Sequence, residues 1–147
     1  MKKLKTLFYL FVLLIFMSCV NNNKQPQIIG SWNLIHIYKD GVDVLGNDKV
    51  KEVYRIRNLY IEQLKINQIT IELNRNEDLY ADFEINKGII TLSRSTHPEY
   101  EGKYQIMLTD TLLPFFKSAV KSLKISSLDK NIQIYAAMSL SEYNSNQ

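Results

Sequence analysis

The sequence predicts a mainly β domain built from antiparallel strands. From residue 68 onward, short apolar segments alternate with polar turns, and the first four of these segments read QITIEL, LYADFEI, GIITLSRS and YEGKYQIMLT. Two further segments, 122–128 and 131–140, alternate apolar with polar residues. Such alternation indicates strands with one buried face and one solvated face. Strands of this length and spacing are typical of an antiparallel barrel or a β-sandwich, and an α+β fold is the remaining alternative.

The first 18 residues have the pattern of a secretory signal. A basic start, Met1–Lys5, precedes an apolar run from Leu7 to Met17 that contains no charged residue. This run is about half as long as the ~20 residues that a membrane-crossing helix needs. A basic start, a short apolar segment and a small residue, here Ser18, mark a cleaved signal that lies outside the folded domain.

Cys19, the single cysteine, directly follows Ser18 where the apolar run gives way to a polar one. This junction resembles the lipobox of bacterial lipoproteins, in which a small residue precedes a cysteine that is lipidated and becomes the new first residue. The resemblance implies a signal peptide over 1–18 and a lipidated tether over 19–28 that carries acyl chains such as palmitate. A cysteine thiolate is a nucleophile suited to this linkage, and several acyl chains give effectively permanent attachment. The alternative is a buried free cysteine at the end of a membrane or core helix.

The residues after Cys19 bear on the compartment. In lipoproteins of this kind, an acidic run after the cysteine can direct export to the cell surface, and an aspartate beside it can hold the protein at the inner membrane. Residues 20–23 are Val-Asn-Asn-Asn and carry neither signal. We therefore expect a lipid-anchored protein of the bacterial cell envelope, in the outer membrane and facing the periplasm.

The charge of the mature chain argues against nucleic acid as a partner. Removal of Lys2, Lys3 and Lys5 with the signal lowers the 18 basic residues to 15, which equals the 15 acidic residues. A neutral chain lacks the basic surface that binds phosphates. The remaining length suits one domain, predicted over 29–140, with a frayed tail over 141–147.

The predicted elements include one or two helices. The chain from Ile29 to Tyr38 is rich in β-branched and aromatic residues and predicts the first strand, which ends at a Lys39-Asp40-Gly41 turn. Apolar residues at three-to-four spacing favour a helix over a strand for 48–66. The segment 111–121, TLLPFFKSAVK, predicts a second, short helix with Pro114 near its start.

Gly30-Ser31-Trp32, followed by NLIHI, is similar to the Gly-x-Trp opening of lipocalins, and more closely to bacterial lipocalin-like domains that begin this way just after a lipobox. The resemblance implies an up-and-down barrel in which Gly30 allows a tight entry to the first strand and Trp32 closes one end. Lipocalins also place an arginine near the end of the last strand, over that tryptophan. No arginine occurs from Leu123 to Leu140.

The sequence offers no constellation that predicts catalysis, a metal site or a cofactor. His36 and His97 lie 61 positions apart, and no spacing supplies further metal ligands. Asp82 and Glu84 would point to one side of a strand, where a solvated face is the expected setting. The serines lack a nucleophile-elbow context, and the five glycines form no phosphate-binding loop.

The nine tyrosines are the compositional feature that favours binding, because a tyrosine combines an apolar ring with a hydroxyl. The candidate contact residues are His36, Tyr38, Tyr54, Tyr80 and Tyr104. The first hypothesis is a membrane-anchored barrel that holds a small apolar or amphipathic ligand. It requires room inside the barrel. The alternative is a non-catalytic protein-interaction module with a filled barrel, such as an assembly partner or an immunity-type protein.

Overall fold

The computed structural model describes residues 27–45, 57–63, 66–74, 77–112 and 119–145. Within them lie nine strands, a short 3₁₀ turn at Pro98–Tyr100 and one helix, α1, at Leu140–Ser145. The strands are β1 Gly30–Lys39, β2 Val42–Asp43, β3 Arg57–Gln63, β4 Asn67–Asn74, β5 Glu77–Asn86, β6 Ile89–Ser93, β7 Gly102–Thr111, β8 Val120–Ser127 and β9 Ile132–Ser139.

The strands form a closed antiparallel barrel. Each strand from β3 to β9 pairs with the next in the chain, β1 pairs with β3, and β1 also pairs with β9. The last pairing closes a barrel of eight strands, while the two-residue β2 extends one edge of β1. The predicted fold class is therefore confirmed: the domain is mainly β, with a lipocalin-like antiparallel barrel.

Two hairpin turns have the backbone dihedral angles that tight antiparallel connections require. Asp40 and Gly41 link β1 to β2, and Lys87 and Gly88 link β5 to β6. All four have positive φ, between 49° and 79°, as in a type I′ turn. The right-handed twist of this turn matches the twist of the flanking strands, so the hairpin register is fixed locally.

β1 contains a bulge that reverses its alternation. Its register with β9 shifts between Leu34 and His36. Before the shift, Trp32 and Leu34 point into the barrel, and after it Ile37 does. A bulge adds one residue, bends the strand and increases its twist. One strand can therefore pair with β3 through its first half and with β9 through its second.

The described part of the barrel interior is packed with apolar and aromatic side chains. Trp32, Ile71 and Ile90, for example, have no surface accessible to water. The inward-pointing core residues are Trp32, Leu34, Ile37, Leu59, Ile61, Ile69, Ile71, Leu79, Ala81, Phe83, Ile90, Leu92, Tyr104, Ile106, Leu123, Ile125, Ile132, Ile134, Ala136 and Met138. All of them come from between Ile28 and Met138, so a chain that begins at Val20 contains the whole described core and is expected to fold.

One end of the barrel is closed around Trp32. Its indole Nε1 donates a hydrogen bond to the carbonyl of Ile28, at 2.8 Å, which fixes the entry of the chain. The ring of Tyr143 meets Trp32 edge-on, with centroids 6.1 Å apart. The Nζ of Lys121 lies over the Tyr143 ring, 4.9 Å from its centroid. Lys121 thus brings a cation to this end of the barrel, where lipocalins use an arginine.

Helix α1 holds Tyr143 in place, although 141–147 was predicted to be a frayed tail. Ser139 precedes the helix, its Oγ accepts a hydrogen bond from the backbone N–H of Glu142, and it donates one to the Glu142 carboxylate. The Ser139 hydroxyl therefore caps the first turn of the helix and is itself oriented by the Glu142 carboxylate. The prediction of a tail was wrong for residues 141–145, because a capped turn with one buried-facing tyrosine suffices to dock them.

The opposite end is covered by the segment 95–101. Tyr100 is buried there, and its carbonyl accepts a hydrogen bond from the hydroxyl of Tyr104 at 2.6 Å. Lys39 lies beside this cover, 3.6 Å from the carboxylate of Glu99. Lys130 donates to the backbone carbonyls of Glu99 and Glu101. Both ends of the barrel are therefore covered by aromatic side chains within the described residues.

The predicted helix over 48–66 was wrong for its second half, since 57–63 forms strand β3. Leu59 and Ile61 are buried in strand alternation, and this tertiary burial outweighs the three-to-four spacing. In the predicted helix 111–121, Thr111 ends β7, and Val120 and Lys121 begin β8. Residues 48–56 and 113–118 lie outside the described residues. No helix in the described part of the chain is long and apolar enough to cross a membrane.

We predict that Tyr143→Ala lowers the free energy of unfolding by about 2 kcal/mol, because it removes an aromatic contact and uncovers Trp32. Trp32 is the only tryptophan, so acrylamide quenching of its fluorescence should increase at the same time. Tyr80→Ala, which removes an exposed tyrosine of β5, is the matched control and should cost less than about 1 kcal/mol. Equal quenching in the two variants would contradict the assigned role of Tyr143.

Candidate functional site

Four of the five predicted contact residues lie in the described part of the chain, and the structure brings two of these four together. His36 and Tyr38 lie on the outer face of β1, whereas Tyr80 lies on the outer face of β5. Tyr104 is fully buried inside the barrel. Tyr54 lies outside the described residues. The candidate site is therefore on the outside of the barrel, around β1.

The outward position of His36 corrects the alternation read from the sequence. Simple alternation places His36 on the same side as Trp32 and Leu34, where it could line a pocket. The bulge after Leu34 shifts the pattern by one residue, so that Ile37 points inward and His36 and Tyr38 point outward. The His36 side chain is 46% exposed.

These two residues belong to an outer aromatic patch, formed by His36, Tyr38, Tyr135, Gln133 and Lys124. The register places Tyr135 of β9 opposite both His36 of β1 and Lys124 of β8. The Tyr38 ring meets the Tyr135 ring edge-on at 5.9 Å and lies 5.4 Å from the His36 ring. The Nζ of Lys124 lies 5.2 Å from the centroid of Tyr135. Three neighbouring strands thus contribute one continuous aromatic surface.

Hydrogen bonds fix the polar groups at the edges of this patch. The His36 Nδ1 lies 2.7 Å from Asp43 Oδ2, across the β1–β2 hairpin. The other oxygen of Asp43 accepts a hydrogen bond from the backbone N–H of Leu45, at 3.2 Å. The hydroxyl of Tyr135 donates to Gln133 Oε1 at 2.6 Å. These bonds orient His36 and Tyr135, so a partner would meet side chains that are already positioned.

The chemistry of the outer aromatic patch suits binding. Tyrosine and histidine rings offer apolar area at a small cost in side-chain entropy, and their polar tips can form hydrogen bonds. A lysine and a carboxylate at the edges add charges of both signs. Such surfaces are enriched at the centres of protein–protein interfaces.

Sequence reasoning missed Tyr135, Gln133 and Lys124. The alternation of Ile132 and Ile134 already indicates that Tyr135 points outward. Its place beside His36 depends on the β1–β9 register, which joins residues about a hundred positions apart and has no local signal.

His97 takes part in a second polar cluster, at the end covered by 95–101. Its Nε2 lies 2.7 Å from Glu77 Oε1, and its Nδ1 lies 3.2 Å from the hydroxyl of Thr96. These contacts tie the covering segment to the start of β5. Within the ranges that the structure describes, no group of three or more histidine, cysteine, aspartate or glutamate side chains could hold a metal ion.

Asp82 and Glu84 lie on the solvated face of β5, as the alternation predicts. Asp82 forms an ion pair with Arg94, just after β6. Nearby, the hydroxyl of Tyr80 donates to Asp78 at 3.1 Å, and this bond to a carboxylate raises the pKa of Tyr80.

Burial raises the pKa of two tyrosines at the covered end. The pKa of Tyr104 lies well above its ordinary value of 10.0, chiefly because the phenolate would be desolvated and secondarily because Asp129 is near. The pKa of Tyr100 is raised in the same direction by burial, with Glu99 and Glu77 adding to the effect. Both hydroxyls therefore stay protonated in the folded state at neutral pH.

The comparisons with known proteins add no relative. No protein-family model, no curated protein and no solved structure matches this chain.

We predict that alkaline pH destabilises the fold through these tyrosines. Their folded pKa is raised, so the stability they contribute is complete below pH 10 and is lost as the pH rises through the folded pKa, by up to about 1.4 kcal/mol per pH unit for each group. Tyr104→Phe should cost about 1 kcal/mol at pH 7, through the lost hydrogen bond, and should flatten the decline above pH 10. Urea unfolding at pH 7 to 11 measures both effects.

Phe83→Leu is the control for this prediction, because it alters the core without removing a hydroxyl. It should lower stability equally at every pH. A decline above pH 10 that is as steep in Tyr104→Phe as in the parent chain would contradict the role of Tyr104.

Proposed function

We propose that this chain is a lipid-anchored, non-catalytic binding protein of the bacterial cell envelope, and that its outer aromatic patch recognises another envelope protein. The single observation that carries the proposal is the position of this patch, outside a barrel whose described interior is filled. Recognition then takes place on the outer surface of β8, β9 and β1.

The packing of the barrel favours a protein partner over an enclosed ligand. A ligand inside the barrel needs empty volume, and large buried side chains such as Trp32, Tyr104 and Ile125 occupy the described interior. Tyr100 covers one end, and Tyr143 packs against Trp32 at the other. A ligand would therefore have to displace a packed aromatic group, whereas a partner protein can reach Tyr38 and His36 directly.

The geometry of the outer aromatic patch supports an interface centre. The Tyr38 ring lies within 6 Å of both the His36 ring and the Tyr135 ring, so burial by a partner removes one contiguous apolar area from water. Lys124 and Asp43 flank the rings and would select a partner with complementary charges.

The anchor rests on the sequence around Cys19. The lipobox-like junction supports removal of 1–18, acylation of Cys19 and retention in the outer membrane on its periplasmic side. A tether that ends before the buried Ile28 would leave the barrel free to meet its partner close to that membrane. Neither a nucleic acid nor a cofactor is part of the proposal.

A small apolar or amphipathic ligand is the second candidate, because the domain is a closed eight-strand antiparallel barrel. Barrels of this size can hold one small ligand. The inner surface is apolar, so a ligand that displaced Tyr100 or Tyr143 would enter a matching environment.

We predict that a photo-crosslinking phenylalanine analogue at position 38 of the full chain, in its host's envelope, yields one discrete adduct with another protein. The same analogue at position 80 is the matched control, since Tyr80 is likewise an outward-facing tyrosine but lies on β5, far around the barrel. Tyr135→Ala should reduce the position-38 adduct by roughly ten-fold, which corresponds to the loss of one interface anchor. A small molecule found by native mass spectrometry, with no adduct at position 38, would instead favour the second candidate.

If the proposed lipid anchor is correct, Cys19 carries acyl chains in cells. Labelling of cells with an alkyne analogue of palmitate should mark the full chain and place it in the membrane fraction. Cys19→Ala should lose the label and accumulate as an unprocessed precursor, whereas Ser18→Gly keeps a small residue before the cysteine and should retain the label. A labelled Cys19→Ala chain would refute the anchor and leave the aromatic patch untouched.

A further inference from the structure

The Trp32 end of the barrel carries a projecting arm, made of residues 107–112, at the end of β7, and 119–121, at the start of β8. β6 pairs with β7 only as far as Gln105, and the last bond on that edge runs from the N–H of Ile106 to the carbonyl of Gly88. Beyond this point β7 continues with β8 as its neighbour, through the pair Thr111 and Val120. The arm therefore extends past the β5–β6 turn.

Exposed apolar side chains occupy this arm and the neighbouring rim. Leu112, directly after β7, is 77% exposed, Met107 is 54% exposed, and Ile66, beside the start of β4, is 58% exposed. The one acidic side chain of the described arm, Asp110, forms an ion pair with Lys121. The arm thus presents apolar groups without an uncompensated negative charge.

The chain enters the barrel at this same end. Ile28 is buried there and accepts the hydrogen bond from Trp32, and Gln27 precedes it. The step from Cys19 to Gln27 covers eight residues and spans at most about 29 Å when fully extended. An anchor at Cys19 therefore keeps the Trp32 end, with its arm, within about 29 Å of the lipid surface, and makes it the end nearest to the attachment point. Exposed Val42, Val44 and Leu128 lie at the opposite end, away from the anchor.

We propose that the β7–β8 arm, together with Ile66, docks on the bilayer and forms a second membrane contact beside the lipid anchor. This proposal rests on the proposed anchor for its orientation. Leu112 and Ile66 would enter the boundary between headgroups and acyl chains, where exposed apolar side chains gain free energy by leaving water. The docked arm would restrict rotation of the barrel on its tether and turn the 95–101 end toward the periplasm.

The test uses the chain from Val20 onward, with a histidine tag in place of Cys19 that binds nickel-chelating lipids in phosphatidylethanolamine–phosphatidylglycerol vesicles. Leu112→Cys and Leu128→Cys each provide a single cysteine for an environment-sensitive fluorophore. These two sites are exposed leucines at opposite ends of the barrel, so they are matched. On vesicles, the probe at 112 should gain intensity and shift to shorter wavelength, and the probe at 128 should keep its emission in water.

A second measurement uses the chain without a fluorophore. Without nickel lipids, the same chain should co-sediment weakly with vesicles, and Leu112→Asp should reduce that affinity roughly ten-fold, while Leu128→Asp should leave it unchanged. No response at 112 with the protein demonstrably bound, or equal responses at 112 and 128, would overturn the proposal. Because the tag replaces the lipid, neither result depends on whether Cys19 is acylated.

Discussion

The pairing of β1 with β9 is the interaction on which the structure depends. It converts a meander with two open edges into a closed barrel, so that backbone groups of the first and last strands bond to each other instead of to water. β1 must bend, because its first half pairs with β3 and its second half pairs with β9. The bulge after Leu34 provides that bend. The same extra residue places Ile37 inside and His36 and Tyr38 outside. The bulge in β1 therefore contributes both to closure of the barrel and to the formation of the outer aromatic patch.

The two ends of the barrel are closed by different means that share one principle. At one end, Tyr143 is held by a capped helix and covers Trp32. At the other, Tyr100 is held by bonds from Tyr104 and by lysines that bind the covering segment. In both cases an aromatic ring provides the apolar cover, and its polar or charged neighbours lie toward solvent. A small barrel without disulfides gains much of its stability from such covers, because they complete an interior that eight short strands leave open at the ends.

Local patterns predicted most of the fold, and long-range register decided the rest. The alternation around Leu123, Ile125, Ile132 and Ile134 identified the last two strands correctly, because strand burial has a period of two that is visible in the sequence. The prediction of a helix over 48–66 was wrong at 57–63, because Leu59 and Ile61 are buried in a strand that pairs with other strands on both sides. Of the candidate site, His36 and Tyr38 were identified, but their face was not, since a bulge leaves no clear local mark. Tyr135 could not be assigned to this site from the sequence, because its position beside His36 depends on the β1–β9 pairing, which spans most of the domain.

The order of the strands has a consequence for how the protein reaches its folded state. Every pairing in the barrel joins neighbours along the chain except those of β1 with β9, and with β3 across 46–56. Folding therefore combines a series of fast local hairpins with one closure that brings together residues about a hundred positions apart, and this closure is expected to set the rate. Because the amino terminus is synthesised first, β1 can pair early with β2 and β3, but the edge of β1 that pairs with β9 stays open until the last strand is complete. During that interval the open edge of β1 can pair with other chains, so any change that slows the delivery of β9 is expected to favour aggregation over closure.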